Sequence, residues 1–526
     1  MSNCPVPYPR TDPPEFLQYC RTIRDPIYKY IPITRLENEI LSTEAFQRLD
    51  RISQAHSVPL VYPSARYSRK CHSLGAMHLI HRAFSSILYK QHRPLQDSVP
   101  PLFFKEPIIK NMDGLDELSE IWPVDGEVGF GSLAWAMQGM RLAGLLHDLG
   151  HAPFSHLFES ICREAGITTF DHEEMSQRII KEVLLPEVNE LDEQMADFVC
   201  MILSDKVDKV IIKGMAAPFL HELISGPINC DKLDYLVRDA YHAGTLEYGQ
   251  LDVERIIDSF VVKAGSLKIK DSHLDCVMDY FHSVFYMYNA VYFHKTCRSF
   301  DIAIGQALKE ESGFLEGIIE NPQVLIGYDE ASFTSKIKSQ YLKESKVYKA
   351  IDRFLNRKKT FKFVARRRFN LRLDWLGISG WGDKDIPREI IDIEDRIFAH
   401  FKGEFDFTVD TTARSRPVGI RPKDILEWLR SNNIYDGDSK KFKPLKNVSS
   451  IDYSYLEQMT IPITVFIYRE DYLDLTPDAF SSLKERTNEF LQTQLEEVRN
   501  KYIKLQKKLE RLVGIKIPCH PVFIWK

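Results

Sequence analysis

The chain has 526 residues, 44% of them hydrophobic and 27% charged, with a formal net charge of −5. This composition excludes a wholly disordered chain, and the acidic balance excludes a generally basic nucleic-acid coat, so any polyanion must be met by a local patch. The length predicts about two to four domains and is sufficient to enclose a deep site.

The first residues carry Pro5, Pro7, Pro9, Pro13 and Pro14 without an apolar run, so 1–20 reads as a Pro-rich N-terminal segment. No stretch of about 18 apolar residues occurs, and neither secretion nor membrane contact is expected. Nine cysteines without a CxxC pair predict a reduced, cytoplasmic protein rather than a disulfide framework. After Arg24-Asp25-Pro26, the residues Leu36, Ile40, Phe46, Leu49 and Ile52 fall at roughly helical spacing, and helices are expected to dominate to about residue 310. Residues 93–131 are richer in Pro, Gly and Asp and predict a surface excursion suited to a lid or contact loop. An apolar helical run then starts near Leu133. Across 275–309, Met278, Phe281, Phe285, Tyr288 and Tyr292 keep an apolar face, as one long buried helix would. Beyond residue 310 the pattern changes, and 405–409 and 461–467 read as strands. Leu491, Leu495, Val498, Tyr502, Leu505, Leu509 and Leu512 follow at steps of four and three in a predicted helix over about 477–513. That spacing fits an interchain coiled coil or an amphipathic helix packed on its own domain, and so few heptads favour the second.

The most informative stretch is His147-Asp148-Leu149-Gly150-His151-Ala152-Pro153-Phe154-Ser155-His156, which gathers three imidazoles and a carboxylate at the end of the helical run. Neutral imidazole and carboxylate are the main ligands of borderline divalent metals. With His72 upstream and Asp231 downstream, His147 and Asp148 complete a candidate set of two imidazoles and two carboxylates. A lone histidine such as His72 would more often be a satisfied structural residue. The segment 231–239 alone would read as a solvated helix face, although Asp231, Tyr235 and Asp239 share one side of it.

Six motifs occur in fixed order: Arg24-Asp25-Pro26, Phe46-Gln47-Arg48-Leu49, Leu60-Val61-Tyr62-Pro63, Arg69-x-x-His72-Ser73-Leu74-Gly75, the 147–156 stretch, and Asp231-Lys232-x-Asp234-Tyr235. Together they resemble the HD-domain deoxynucleoside triphosphate triphosphohydrolases over roughly residues 20–310. The resemblance implies a mainly α fold, with an HD-domain helical catalytic core at 21–310 and a C-terminal α+β lobe at 311–526 for regulation and oligomerisation, ending in the long amphipathic helix. It implies one divalent ion, of the Mn, Fe, Mg, Zn or Ni class, held by His72, His147, Asp148 and Asp231, with additional Mg accompanying the nucleotide. It further implies catalytic roles for His151, His156, His172 and the acid Glu159, phosphate contacts from Arg69, Lys232 and Tyr235, and sugar or base contacts from Gln54, Ala55, Asp239 and Tyr292. Water would attack the α-phosphate, and deoxynucleoside and intact triphosphate would leave. Imidazole suits this chemistry, having a pKa near that of an efficient general acid at neutral pH.

Departures from the family pattern bear on the substrate. Cys71 stands where glutamate is usual, Tyr67 where histidine is, Ala55 where a leucine walls off the ribose, and Val284 where an arginine grips the distal phosphates, a role open to Arg298. Ser42 and Asp50 replace an acid and an arginine that read guanine in the animal enzyme's regulatory site, so that same GTP-dependent activation is not expected. Residues 357–369 interleave cations with aromatics, which suits an allosteric nucleotide, DNA or another single-stranded nucleic acid, or else the protective charge of a strand edge. The leading expectation is a homo-oligomeric dNTP triphosphohydrolase. An HD-type nuclease or phosphohydrolase acting on DNA ends or another nucleotide is the enzymatic alternative, and a non-enzymatic scaffold ranks last because an inert site has no need of the extra imidazoles.

Overall fold

The computed structural model describes residues 19–91, 129–204, 211–212, 215–263, 265–372, 388–401, 404–411, 434–436, 441–444 and 458–513. The expected excursion at 93–131 falls almost wholly outside them, as does most of the Pro-rich start.

Strands β1 (Tyr19–Asp25) and β2 (Lys29–Thr34) form an antiparallel hairpin. Its turn is closed by Asp25, whose Oδ1 accepts from the Ile27 and Tyr28 amides at 2.8 and 2.9 Å, a turn role to which aspartate is suited. Helix α1 (Arg35–Ser42) begins with a reciprocal capping box between Thr34 and Glu37. The Glu37 carboxylate is wholly buried and also accepts from Arg141 and Gln138 at 2.6–2.8 Å.

The core is helical. Helices α2 (Arg69–Gln91) and α3 (Gly129–Leu146) pack against each other, and α4 (His156–Glu164), α5 (His172–Ile179), α6 (Glu193–Leu203) and α7 (Cys230–Ala243) follow. Strands β3 (Phe260–Lys263) and β4 (Ser266–Lys270) precede α8 (Leu274–Met287) and α9 (Lys295–Leu308). The apolar core runs from Ile31 through α10 (Lys346–Leu355) and includes Ile434 from a later strand.

A second core involves β5 (Phe361–Arg372), α11 (Arg388–His400) and β6 (Phe407–Thr411). After β7 (Ile434–Asp436) and β8 (Lys441–Lys443), it is completed by β9 (Gln458–Tyr468) and α12 (Pro477–Val513). Its antiparallel sheet has the order β5-β9-β6, while β8 and β7 extend the earlier pair into β8-β7-β4-β3 through a parallel β4–β7 contact. The chain is mainly α, with a smaller α+β portion toward its C-terminus. No helix among the described residues is long and apolar enough to cross a membrane, and the seven described cysteines are free thiols.

Three sequence expectations change in detail. The apolar run at 36–52 is broken into α1, a four-residue helix (Glu44–Gln47) and a 3-10 turn (Arg48–Arg51), because Thr43 stops one helix and caps the next. The single helix expected over 275–309 is two helices. A π-turn (Tyr288–Tyr292) ends α8, Phe293 leaves helical geometry, and extended His294 caps α9 by accepting from the Thr296 amide. Within α8 itself, Phe285 lies 44% exposed rather than on a buried face. The strand expected at 405–409 begins two residues later, whereas 461–467 lies within β9. In α12, Leu491, Leu495 and Val498 are buried in the second core of their own chain; the side chains of Tyr502, Leu505, Leu509 and Leu512 lie outside the described residues.

Candidate metal and catalytic site

Three segments bring four side chains together. His72 lies in the first turn of α2, His147 and Asp148 follow α3, and Asp231 lies in the first turn of α7. His72 Nε2 is 2.9 Å from Asp231 Oδ1 and 3.7 Å from Asp148 Oδ2, while His147 Nε2 is 3.3 Å from Asp148 Oδ1 and 3.7 Å from Asp231 Oδ1. The outer nitrogens are tethered, His147 Nδ1 to the Gly144 carbonyl at 2.9 Å and His72 Nδ1 to Asp234 Oδ2 at 2.8 Å. With each outer nitrogen so tethered, Nε2 faces the carboxylates, and loss of its proton would make it the ligand atom for a metal.

The electrostatics favour a cation here. Burial pushes the His72 imidazole toward neutrality, but Asp231, Asp234 and Asp148 outweigh it and push its pKa up to about 10. Burial likewise opposes charge on Asp231, but the imidazoles of His147 and His72 hold its carboxyl well below the usual range. Burial is also overcome at Asp148, by Arg69 and the neighbouring histidines. His147 Nε2 is buried without a hydrogen-bond partner. Two imidazoles, two carboxylates and an orphaned buried nitrogen fit a divalent ion.

Arg69 joins this group to its neighbours. Its Nη1 donates to Asp148 and its Nε donates to Ser155 Oγ at 2.7 Å, leaving Nη2 buried and unpartnered. Ser155 occupies its place at a backbone cost, since Phe154 and Ser155 have φ of 66° and 54°, conformations L-residues rarely adopt. Immediately afterwards α4 starts at His156.

Beside the first group lies a second, containing His151, His156, Glu159 and His172. His151 and His172 stack with ring centroids 4.0 Å apart, and His156 stands edge-on to His151 at 4.6 Å. His172 Nδ1 donates to Glu159, which outweighs the effect of burial and pushes the His172 pKa up to about 10. Burial, aided by the cationic neighbours Arg69 and His172, holds His151 well below the ordinary imidazole value; burial also lowers His156. The stack therefore pairs a cationic imidazole with a neutral one.

The remaining candidates divide. Tyr235 lies edge-on to His72 and Tyr292, each at 6.3 Å. Asp239 has both oxygens engaged, accepting from Tyr67 at 2.8 Å and from Tyr292 at 2.5 Å, and burial raises its pKa. Gln54 Oε1 is buried without a partner, and Ala55 packs against the core. The Lys232 ammonium lies 3.5 Å from the Gly226 carbonyl. Arg298, the alternative distal-phosphate group, is ion-paired with Asp410 at 2.9 Å and Asp301 at 3.4 Å. Val284 is a partly buried residue packed against the core. In the basic stretch, Arg366 donates to Thr464 Oγ1 and the Phe293 carbonyl, both at 2.8 Å, and Lys362 lies over the Tyr472 ring. Those two cations serve the packing of β5, which is an edge strand.

Sequence reasoning assigned no role to Ser155, Ser176 or Asp234. Ser176 Oγ accepts from the Gly150 amide and donates to the His147 carbonyl, both at 2.8 Å, clamping the 147–150 turn to α5. Nothing in a lone serine signals this. Asp234 was visible inside a quoted motif.

In comparison with known proteins, residues 131–212 match the family model of the HD domain, which covers the part of this site that contains His147, Asp148, His151, His156, Glu159 and His172, but not His72 or Asp231. The chain is 31% identical over 289 residues to an uncharacterized protein of Bacillus subtilis, covering 55% of each chain. It is 26% identical over 507 residues to an uncharacterized protein of Methanocaldococcus jannaschii, covering 94% of this chain and 89% of that one. It is also 26% identical over 354 residues to a deoxynucleoside triphosphate triphosphohydrolase SAMHD1 homolog of Dictyostelium discoideum, covering 65% of this chain and 60% of that one. The chain thus spans little more than half the length of the Bacillus and Dictyostelium relatives. In fold it is similar to a phosphohydrolase crystal structure from Bacteroides thetaiotaomicron, with a TM-score of 0.57 and 21% identity, covering 86% of this chain and all of that one.

Proposed function

For a chain that belongs to the HD-domain phosphohydrolase family, we propose hydrolysis of deoxynucleoside triphosphates to deoxynucleoside and inorganic triphosphate. The observation that carries this reading is the convergence of His72, His147, Asp148 and Asp231 beside a second group rich in imidazole. A divalent ion held by those four residues would supply Lewis acidity to a phosphoryl oxygen and lower the pKa of water.

The chain's own groups divide the remaining work. Arg69 offers the unpartnered Nη2 to a phosphate oxygen while Asp148 and Ser155 hold the rest of its fork. Lys232 and Tyr235 frame the phosphates from α7. Attack on the α-phosphorus forms one P–O bond to the water oxygen and breaks the bond to the 5′ oxygen, which must receive a proton. His151 and His156 are lowered by burial, and a bound triphosphate raises both by placing negative charge beside them. One of them then delivers the proton, while His172, paired with Glu159, holds the His151 ring by stacking. Gln54, Ala55, Asp239 and Tyr292 bound the sugar side.

A second reading is an HD-type phosphohydrolase or nuclease acting on another nucleotide or on DNA ends. It is favoured by Ala55 and Val284, which stand where the resembled family closes the ribose pocket with leucine and grips the distal phosphates with arginine. The regulatory nucleotide, a nucleic acid at 357–369 and homo-oligomer assembly belong to the same proposal. Chromatography of products from each dNTP, each NTP and a single-stranded oligonucleotide tests it. Deoxynucleoside from the dNTPs supports the first reading; a shortened oligonucleotide with intact dNTPs selects the second.

A further inference from the structure

Behind His72 lies a chain of buried charge that the reaction above does not use. Asp234 accepts from His72 Nδ1 at 2.8 Å and from Arg238 Nε and Nη2 at 3.0 and 2.9 Å. Arg238 Nη1 continues to Asp25 Oδ2 at 2.7 Å, across 213 positions of sequence. Asp234 and Arg238 are wholly buried and Asp25 nearly so. The other Asp25 oxygen holds the hairpin turn, and the Tyr28 ring lies 5.5 Å from the Arg238 guanidinium. Helix α2 presses onto the same pair at Gly75, where an ideal Cβ would lie 1.9 Å from Asp234 Oδ1 and 2.4 Å from Arg238 Nη2. The helix carrying His72 can approach this closely because Gly75 has no side chain.

We propose that Asp25, Arg238 and Asp234 form a positioning relay through which the N-terminal hairpin orients His72 for metal binding. The proposal rests on the reading of His72, His147, Asp148 and Asp231 as the metal-holding set. A neutral imidazole carries one N–H. With that proton held on Nδ1 by Asp234, Nε2 presents its lone pair on the Asp231 and Asp148 side. The opposite tautomer would set a lone pair against the Asp234 carboxylate. Arg238 keeps Asp234 ionised and in place, and Asp25 fixes the far end of the guanidinium fork.

The test uses the full chain stripped of metal and titrated with Co(II) against a chromophoric chelator, together with the visible spectrum of the Co(II) form and the unfolding midpoint of the stripped protein. Asp234→Asn should weaken Co(II) binding by about 10- to 100-fold, the range usual for loss of a partner behind a ligating histidine. Because that variant alone leaves Arg238 undercompensated, Asp234→Asn/Arg238→Met removes both charges and should keep the loss of affinity. Asp25→Asn, at the outer end, should weaken binding in the same direction by less and alter the Co(II) spectrum. Wild-type affinity and spectrum in the folded double variant and in Asp25→Asn would overturn the relay. Failure of the wild-type chain to bind Co(II) would instead overturn the metal reading on which it rests.

Discussion

Replacing Gly150 by alanine tests the arrangement of the two groups without touching a candidate ligand. An ideal Cβ at this position would lie 2.2 Å from the His172 carbonyl oxygen, 2.5 Å from the Ser176 amide nitrogen and 2.9 Å from the Met175 carbonyl carbon. All three are backbone atoms of the α5 start, so no flexible side chain can yield. Moving the nearest from 2.2 Å to the 3.4 Å at which ordinary contact begins requires about 1.2 Å of displacement between the 147–150 turn and α5. That displacement must break or stretch both Ser176 bonds and carry His172 away from His151 or Glu159. Overpacking of this kind costs about 1–3 kcal/mol, and an ångström of misplacement at reacting groups costs roughly 100-fold in rate. Gly150→Ala should therefore lower the unfolding midpoint moderately and kcat by about two orders of magnitude, with metal content retained. Calorimetry, single-substrate kinetics and metal analysis on the same preparation would check this. Unchanged turnover in a folded Gly150→Ala protein would refute the claim that the Gly150 contact sets the catalytic geometry.

Alanine at both His147 and Asp148 should remove bound metal and turnover together, and activity persisting in metal-free protein would count against the site. His151→Ala should retain metal and lose roughly 10²- to 10⁴-fold in kcat, the usual worth of a general acid; an unaltered kcat would reassign the proton. The His172–Glu159 pair should leave a pH signature on stability. His172 is raised from 6.5 to about 10, so its contribution is full below pH 6.5 and fades as pH rises through about 10; Glu159 is lowered from 4.5, so its contribution is full above 4.5 and fades on acidification through its folded value. Glu159→Gln should flatten the alkaline limb between pH 6.5 and 10 in urea midpoints, and parallel wild-type and mutant curves would show the pair to be uncoupled. Glu37→Gln, which leaves the buried Arg141 guanidinium without a charged partner, should destabilise the fold by about 3–5 kcal/mol; a loss below 1 kcal/mol would mean that neutral hydrogen bonds suffice there.

How much the sequence disclosed depended on the range of the interaction involved. The helical run from about Leu133 and the histidine-rich turn after it were legible because spacing and residue type are local signals, whereas the helix in fact starts at Gly129, inside the expected excursion. Asp231, Tyr235 and Asp239 could be placed on one side of α7 from periodicity alone. The break at 288–294 was not legible, since the aromatic spacing continues through a π-turn that helical periodicity does not distinguish, and Tyr292 reaches Asp239 from it. Nor could periodicity reveal that Ile434 would add a parallel strand to a sheet begun at residue 260, a pairing across more than 160 positions. The twin positive φ values at Phe154 and Ser155 carry no glycine to announce them. Their consequence, Ser155 holding Arg69, appears only once α2 and α4 meet. The Asp25 motif could be quoted from the sequence, but its contact with Arg238 lies 213 residues away.

The most direct measurement is ³¹P NMR of the phosphates, with mass spectrometry of the nucleoside, formed from a dNTP in ¹⁸O-enriched water by the metal-loaded protein. Attack at the α-phosphorus predicts intact triphosphate carrying one ¹⁸O on a terminal phosphorus and an unlabelled deoxynucleoside. Pyrophosphate with labelled monophosphate, or label in the nucleoside, would contradict the account.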